Sequence, residues 1–150
     1  MEKHREKALE NFRKGYNCAQ SVVLAFDDIL PYGSDVLARF SCDFGGGVGH
    51  LHEVCGTVCG AAMIIGVLYG FDEPRPAPEK LALYARFQEI AAQFKEANGS
   101  VVCRELLGIG QNKDVSPDEA HSKKRPCSEL VAMAADLLDQ YIEAHPVEVK

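Results

Sequence analysis

Residues 51–69 read LHEVCGTVCGAAMIIGVLY, and this stretch sets the expected architecture. Its side chains are apolar nearly all round a helix, which is typical of a helix buried among others. Gly56, Gly60 and Gly66 lie inside it, although each glycine costs a helix about 1 kcal/mol relative to alanine. So many glycines indicate that another helix or a cofactor approaches closely. We therefore predict a central helix from about Leu51 to Tyr69.

Helical periodicity continues on both sides of this stretch. Ala19, Val22, Val23 and Phe26 recur along one face of a helix that Asn17 should cap. No run alternates with the period of a strand. The predicted fold class is all-α, a compact single domain over residues 1–150 with about five main helices around the glycine-rich one. The expected helical segments are 8–12, 18–30, 35–40 capped by Ser34 or Asp35, 51–69, 79–97, 101–107 capped by Ser100, and 127–141.

The composition restricts the kinds of molecule that this protein is expected to bind. The 150 residues suit one domain, and a net charge of -6 spread along the chain argues against nucleic acid. The one basic cluster, Lys123-Lys124-Arg125, is short and indicates a solvated part of the polar loop 109–125. The N-terminus is charged, unlike a signal peptide, and the apolar run 58–68 is too short to cross a bilayer. We expect a cytoplasmic protein with neither a nucleic-acid nor a membrane partner.

Six cysteines, at positions 18, 42, 55, 59, 103 and 127, are expected to stay reduced there, which favours metal ligation or thiol redox chemistry. Only Cys55 and Cys59 are close in sequence, and the wide gaps match neither zinc fingers nor bacterial ferredoxins. Cys18 and Cys127 fall in predicted first turns, where the helix dipole favours a thiolate. The glycine-rich loop 44–49 offers backbone N–H groups to sulfur. A shared site and separately buried core cysteines both remain open.

Four blocks of sequence carry a family resemblance: residues 15–21 (GYNCAQS), 45–60 (the glycine run and CGTVCG), 103–108 (CRELLG) and 126–131 (PCSELV). In this order they resemble a redox-active bacterial and archaeal family named for its C…CGAxxG…C…C pattern. The resemblance covers nearly the whole chain. It implies a characteristic set of four cysteines that hold a redox centre such as an iron–sulfur cluster, namely Cys18, Cys55, Cys103 and Cys127.

The chain departs from the family pattern in two ways. Thr57 replaces the alanine of CGAxxG, and extra thiols are present at Cys59, within the motif, and at Cys42, outside the four blocks. Cys59 could replace Cys55 as a ligand, act as a resolving thiol, or fill the core as free cysteines often do. Cys42 could be an additional ligand, pair with Cys55 or Cys59 in a disulfide, or fill the core.

Two histidines near the start of the predicted central helix are further candidates. His50 and His52 could ligate metal in a mixed site, although two histidines just after a loop are more typical of polar surface residues. His52 is nearer to Cys55 and is the better candidate for supporting a ligand.

The leading hypothesis is a redox or electron-transfer accessory protein whose four cysteines bind an iron–sulfur cluster. Its partner would be another redox protein, and the glycine-lined helix could also serve a homodimer. One alternative is a thiol–disulfide protein that uses Cys55 with Cys59, or one of them with Cys42. Another is a zinc-stapled structural or interaction module.

Overall fold

The computed structural model describes residues 3–108 and 127–147, and these residues are all-α, as predicted. The polar loop and the basic cluster Lys123-Lys124-Arg125 lie outside the described residues. Seven α-helices and one 3-10 helix are present in the described ranges: α1 (Arg5–Arg13), α2 (Cys18–Ala25), α3 (Ser34–Ser41), the 3-10 helix (Cys42–Phe44), α4 (Gly56–Tyr69), α5 (Ala77–Asn98), α6 (Cys103–Leu107) and α7 (Cys127–Ala144).

The start of α2 follows from its local sequence. The Asn17 side chain accepts a hydrogen bond from the backbone N–H of Gln20, and the Gln20 side chain accepts one from the backbone N–H of Asn17. This reciprocal capping box satisfies two N–H groups that a helix start leaves open. It confirms Asn17 as the N-cap and places Cys18 in the first turn.

Several predicted boundaries are wrong. Helix α4 begins at Gly56 rather than Leu51, because the preceding residues form a loop in which His52 has a positive φ and Val54 bridges to Val102. Helix α2 ends at Ala25 rather than near residue 30, since the backbone turns from Phe26 onward. The N-cap positions of α3 and α6 are Gly33 and Val102, so the predicted caps Ser34, Asp35 and Ser100 are also incorrect.

The core is shared among several helices. Helix α2 has six of its eight residues buried, and four of these, residues 22–25, join apolar side chains of α1, α4 and α7 in one cluster. A smaller cluster holds Cys55, Val58, Phe94 and Leu130. The count of about five main helices around α4 alone is therefore not confirmed. No helix in the described ranges is both long and apolar enough to cross a membrane.

Close approach explains two of the three glycines inside α4. A Cβ at Gly60 would lie 3.2 Å from the carbonyl oxygen of Ala19 and 3.3 Å from Cβ of Val22, so this glycine lets α2 approach. A Cβ at Gly56 would collide with Sγ of Cys18. At Gly66 a Cβ would meet no atom within 4 Å, so helix packing does not explain that glycine.

A buried polar network attaches α1 to the rest of the protein. His4 is 2% exposed, and its Nδ1 lies 2.6 Å from Oδ1 of the buried Asp139. Its Nε2 lies 2.9 Å from Oδ1 of Asp28, and its ring stacks on Phe26 at 4.1 Å between centroids. The network therefore joins the start of α1 to α7 and to the segment after α2.

Replacing His4 with leucine is expected to lower the free energy of unfolding by about 3 kcal/mol, because it leaves the Asp139 carboxylate buried without its imidazole. Urea unfolding measures the change. The matched control is Lys3→Ala, which removes an exposed ion pair with Glu143 and should cost at most about 1 kcal/mol. Equal effects of the two substitutions would contradict a structural role for the buried network.

Candidate functional site

Each cysteine of the predicted ligand set stands at the start of a helix. Cys18 is the first residue of α2, Cys103 of α6 and Cys127 of α7, while Cys55 is the N-cap residue of α4. The backbone N–H groups of a helix start are not used within the helix, and they favour negative charge nearby. The four positions therefore share a setting that suits thiolates.

A loop of left-handed residues stands beside these cysteines. Gly46, Gly47, Val48, Gly49 and His50 all have φ between 54° and 70°. Such a run is unusual, because side chains other than glycine rarely adopt this conformation. At Gly47 a Cβ would lie only 2.6 Å from Cβ of Cys103, so the backbone of the loop packs directly against that cysteine. The glycine-rich loop thus forms one wall of the site.

Two distant segments are joined so that Cys103 comes close to Cys55. The N–H of Cys55 donates to the carbonyl of Val101 at 2.8 Å, and the N–H of Cys103 donates to the carbonyl of Glu53 at 2.5 Å. The Arg104 guanidinium donates to the Glu53 carboxylate at 2.9 Å. These contacts, together with the Val54–Val102 bridge, position one cysteine block against the other.

Cys18 is enclosed by backbone. Burial raises the pKa of its thiol, while the backbone N–H groups of Gly46, Ala19 and Gly56 oppose that rise by favouring the thiolate. The absence of a side chain at Gly56 is what leaves room for the sulfur. Cys18 therefore combines a partly buried position with N–H donors, a setting that suits a sulfur bound to a cation.

Two other thiols act on the buried Cys55. Burial raises the pKa of Cys55, nearby Cys18 raises it further, and Cys103 adds a smaller effect in the same direction. Its Sγ is 3.1 Å from Oγ1 of Thr57, the residue that departs from the family pattern. These electrostatic effects show that Cys18, Cys55 and Cys103 are neighbours, although they are far apart in sequence.

The two additional cysteines differ from each other. Burial and the neighbouring Cys18 raise the pKa of Cys59 to about 11, and its thiol donates to the carbonyl of Val54 at 3.7 Å. Cys42 is exposed, and its thiol donates to the carbonyl of Arg39 at 3.2 Å. Cys59 therefore belongs to the neighbourhood of Cys18. None of the six cysteines forms a disulfide.

His52 is not the surface residue that the sequence suggested. It is 1% exposed, and its Nδ1 lies 3.5 Å from Sγ of Cys103. The His50 ring lies 4.5 Å from the His52 ring, between centroids, and is half-buried. The expected proximity of His52 to the cysteines is thus found, at Cys103.

Cys127 is buried at the start of α7, within the larger core cluster. One turn further along, Leu130 packs in the same small cluster as Cys55. Helix α7 therefore reaches the part of the core that surrounds Cys55.

The donor chemistry fits a thiophilic metal centre, because buried cysteines with backbone N–H groups nearby are suited to thiolate ligation. The geometry is not that of an assembled ligand set. Within residues 3–108 and 127–147, no three His, Cys, Asp or Glu side chains stand close enough together to hold a metal ion. Binding therefore requires these side chains to draw closer than they stand here.

The sequence analysis did not predict the ion pair between Arg104 and Glu53 or the burial of His52. The available signals for the ion pair were an arginine directly after Cys103 and an acidic residue two positions before Cys55. No signal in the sequence showed that they pair, because 51 residues separate Glu53 from Arg104.

Fold and site together define a small all-α protein in which cysteines at helix starts surround a glycine-rich loop. The chain belongs to the family described as "Putative redox-active protein (C_GCAxxG_C_C)", which matches residues 16–141. This match confirms the resemblance found in the four sequence blocks. No curated protein and no solved structure matches the chain.

The metal-free protein should show a graded thiol reactivity. Near neutral pH, iodoacetamide is expected to alkylate the exposed Cys42 first and to alkylate the half-buried Cys18 and the buried Cys55 slowly, because the thiolate is the reactive form and the pKa values of both thiols are raised. The alkylation rate of Cys59 should rise as the pH approaches its pKa of about 11. Peptide mass spectrometry measures each rate. A Cys59 that reacts as fast as Cys42 at neutral pH would contradict the assigned burial.

Proposed function

We propose that this protein is a redox or electron-transfer accessory protein that binds an iron–sulfur cluster through Cys18, Cys55, Cys103 and Cys127. When bound, such a cluster supplies a redox couple. The chain's own residues hold it, exclude water and direct backbone N–H groups at sulfur. This is the role of a carrier rather than that of an enzyme.

The gathering of Cys18, Cys55 and Cys103 in one neighbourhood carries this proposal. Burial raises the pKa values of Cys18 and Cys55, and nearby Cys18 raises that of Cys55 further, so neither thiol ionises readily alone. A bound cation reverses that balance, because a coordinating thiol loses its proton outright. A group of buried thiols beside N–H donors is therefore better explained by ligation than by core filling.

Isolation of the full chain without oxygen tests the proposal. We expect a brown protein with absorption in the visible range, and iron and acid-labile sulfide in comparable amounts. A colourless protein that holds one zinc per chain would overturn the cluster in favour of the structural zinc module. The same site would then be explained by zinc's preference for thiolates.

A thiol–disulfide protein is the second candidate, and one observation favours it. Cys18 influences the pKa of both Cys55 and Cys59, whereas neither of those two is a cause of the other's shift. A redox pair could join Cys18 to one of them as well as Cys55 to Cys59, the two thiols giving up two protons and two electrons to a partner. Metal-free protein whose thiol titre falls by two on mild oxidation would support this candidate.

The proposal includes a cytoplasmic location, where thiols stay reduced, and a redox protein as the electron partner. A homodimer remains a prediction from the glycine-lined helix. Sedimentation of the full chain would measure it.

A further inference from the structure

An apolar cavity of about 700 Å³ opens on the surface of the protein. Its lining includes Leu37 and Phe40 of α3 and Met63, Gly66 and Val67 of α4, and no cysteine is among its lining residues. Cavities of about 300–1,000 Å³ with mainly apolar walls are typical of small-molecule sites. The volume is therefore enough for a ligand of ordinary metabolite or drug size.

Gly66 supplies an independent indication that the cavity is kept open. It lies inside α4, where glycine costs about 1 kcal/mol relative to alanine. Gly56 and Gly60 are required by Cys18 and by α2, but a Cβ at Gly66 would meet nothing within 4 Å. A larger side chain at this position would project into the cavity. The glycine therefore leaves room in the cavity and is not required for the packing of one helix against another.

Exposed aromatic rings stand at the cavity's edge. Phe40 is 63% exposed and Tyr32 is 47% exposed, and their rings meet edge to face at 6.4 Å. Large apolar rings left in water near a cavity are typical of a binding site rather than of an ordinary surface. Such rings contact a flat ring system well through stacked or edge-to-face arrangements.

The charges at the cavity favour a neutral ligand. Asp72 and Arg75, one of each sign, are the charged residues of its lining. The Arg75 guanidinium lies 5.8 Å from the Phe71 ring centroid. The charges of the lining itself therefore balance and favour neither an anionic nor a cationic ligand.

From these observations we propose that the cavity over Gly66 binds a neutral, mainly apolar, ring-containing small molecule. No cysteine lines this cavity, and the proposal does not depend on the function proposed for the cysteines.

Fluorescence titration with N-phenyl-1-naphthylamine, a neutral aromatic probe, tests the site on the full chain. The unaltered protein is expected to bind the probe saturably, with one probe per chain. Gly66→Leu fills the cavity and should weaken binding by about tenfold or more, while its thermal midpoint stays unchanged or rises because leucine favours the helix. Phe40→Ala removes an exposed ring without touching the core and should also weaken binding.

Leu81→Ala is the matched control. Leu81 is 64% exposed on α5 and does not line the cavity, so this variant should bind the probe as the unaltered protein does. An absence of saturable binding to the unaltered protein would overturn the proposal. A folded Gly66→Leu variant that binds the probe as tightly as the unaltered protein would also overturn it. If Gly66→Leu fails to fold, an unchanged affinity of Phe40→Ala for the probe would overturn the proposal instead. A Leu81→Ala that loses binding equally would place the probe elsewhere and overturn it as well.

Discussion

Gly56→Ala is expected to lower the free energy of unfolding by about 1–3 kcal/mol, although alanine normally favours a helix. The added Cβ would collide with Sγ of Cys18 and lie 2.9 Å from the carbonyl oxygen of Phe44. The Cys18 side chain can rotate away, but the Phe44 carbonyl belongs to the backbone and cannot. The substitution therefore displaces both the Cys18 sulfur and the start of α4, and the protein should lose bound metal.

Gly66→Ala is the matched control, since it makes the same chemical change in the same helix. A Cβ there meets nothing within 4 Å, so the variant should gain up to about 1 kcal/mol of stability and keep its metal. Urea unfolding and metal analysis measure the two variants side by side. If Gly56→Ala matches Gly66→Ala in both stability and metal content, the close approach of Cys18 to α4 is wrong.

Substitution of the proposed ligands should have the largest effect on metal binding. Cys18→Ser, Cys103→Ser and Cys127→Ser are each expected to weaken it by more than about 100-fold, since removing a group that merely hydrogen-bonds a ligand already costs about 10–100-fold. Cys42→Ser should bind metal normally, because the Cys42 thiol is exposed and donates a hydrogen bond to the backbone carbonyl of Arg39. Iron content after anaerobic isolation measures binding, and circular dichroism confirms that each variant folds.

The same assay separates Cys55 from Cys59. Both Cys18 and Cys103 raise the pKa of Cys55, whereas Cys18 is the one thiol that raises the pKa of Cys59. We therefore expect Cys55→Ser to lose the metal and Cys59→Ser to retain it. The reverse result would exchange the two in the ligand set, and loss of metal in Cys42→Ser would show that the set itself is wrong.

Features that depend on neighbouring residues could be predicted from the sequence. Asn17 caps α2 through reciprocal hydrogen bonds with Gln20, three residues further along the chain. Gly99 ends α5 with a left-handed conformation that glycine adopts without strain. Both signals are local, so the start of α2 was predicted correctly and the end of α5, predicted at residue 97, was correct to within one residue. The placement of Cys18 in the first turn followed from the same cap.

Features that depend on distant contacts could not be predicted. The segment before Gly56 is apolar enough to continue the helix, but hydrogen bonds to residues 101–104 hold it in a loop. Those bonds also bury His52, whose sequence setting is that of a surface histidine. The gathering of Cys18, Cys55 and Cys103 likewise depends on how three segments pack, which cysteine spacing does not reveal. The family resemblance, rather than spacing, selected these cysteines.

Native mass spectrometry of the anaerobically isolated chain tests the central claim most directly, because it weighs the protein together with whatever the cysteines hold. We predict the mass of one chain carrying an iron–sulfur cluster, and the loss of that added mass in Cys103→Ser but not in Cys42→Ser. A chain that carries a single zinc ion would contradict the cluster. A bare chain, or one lighter by two hydrogens through a disulfide, would contradict it equally.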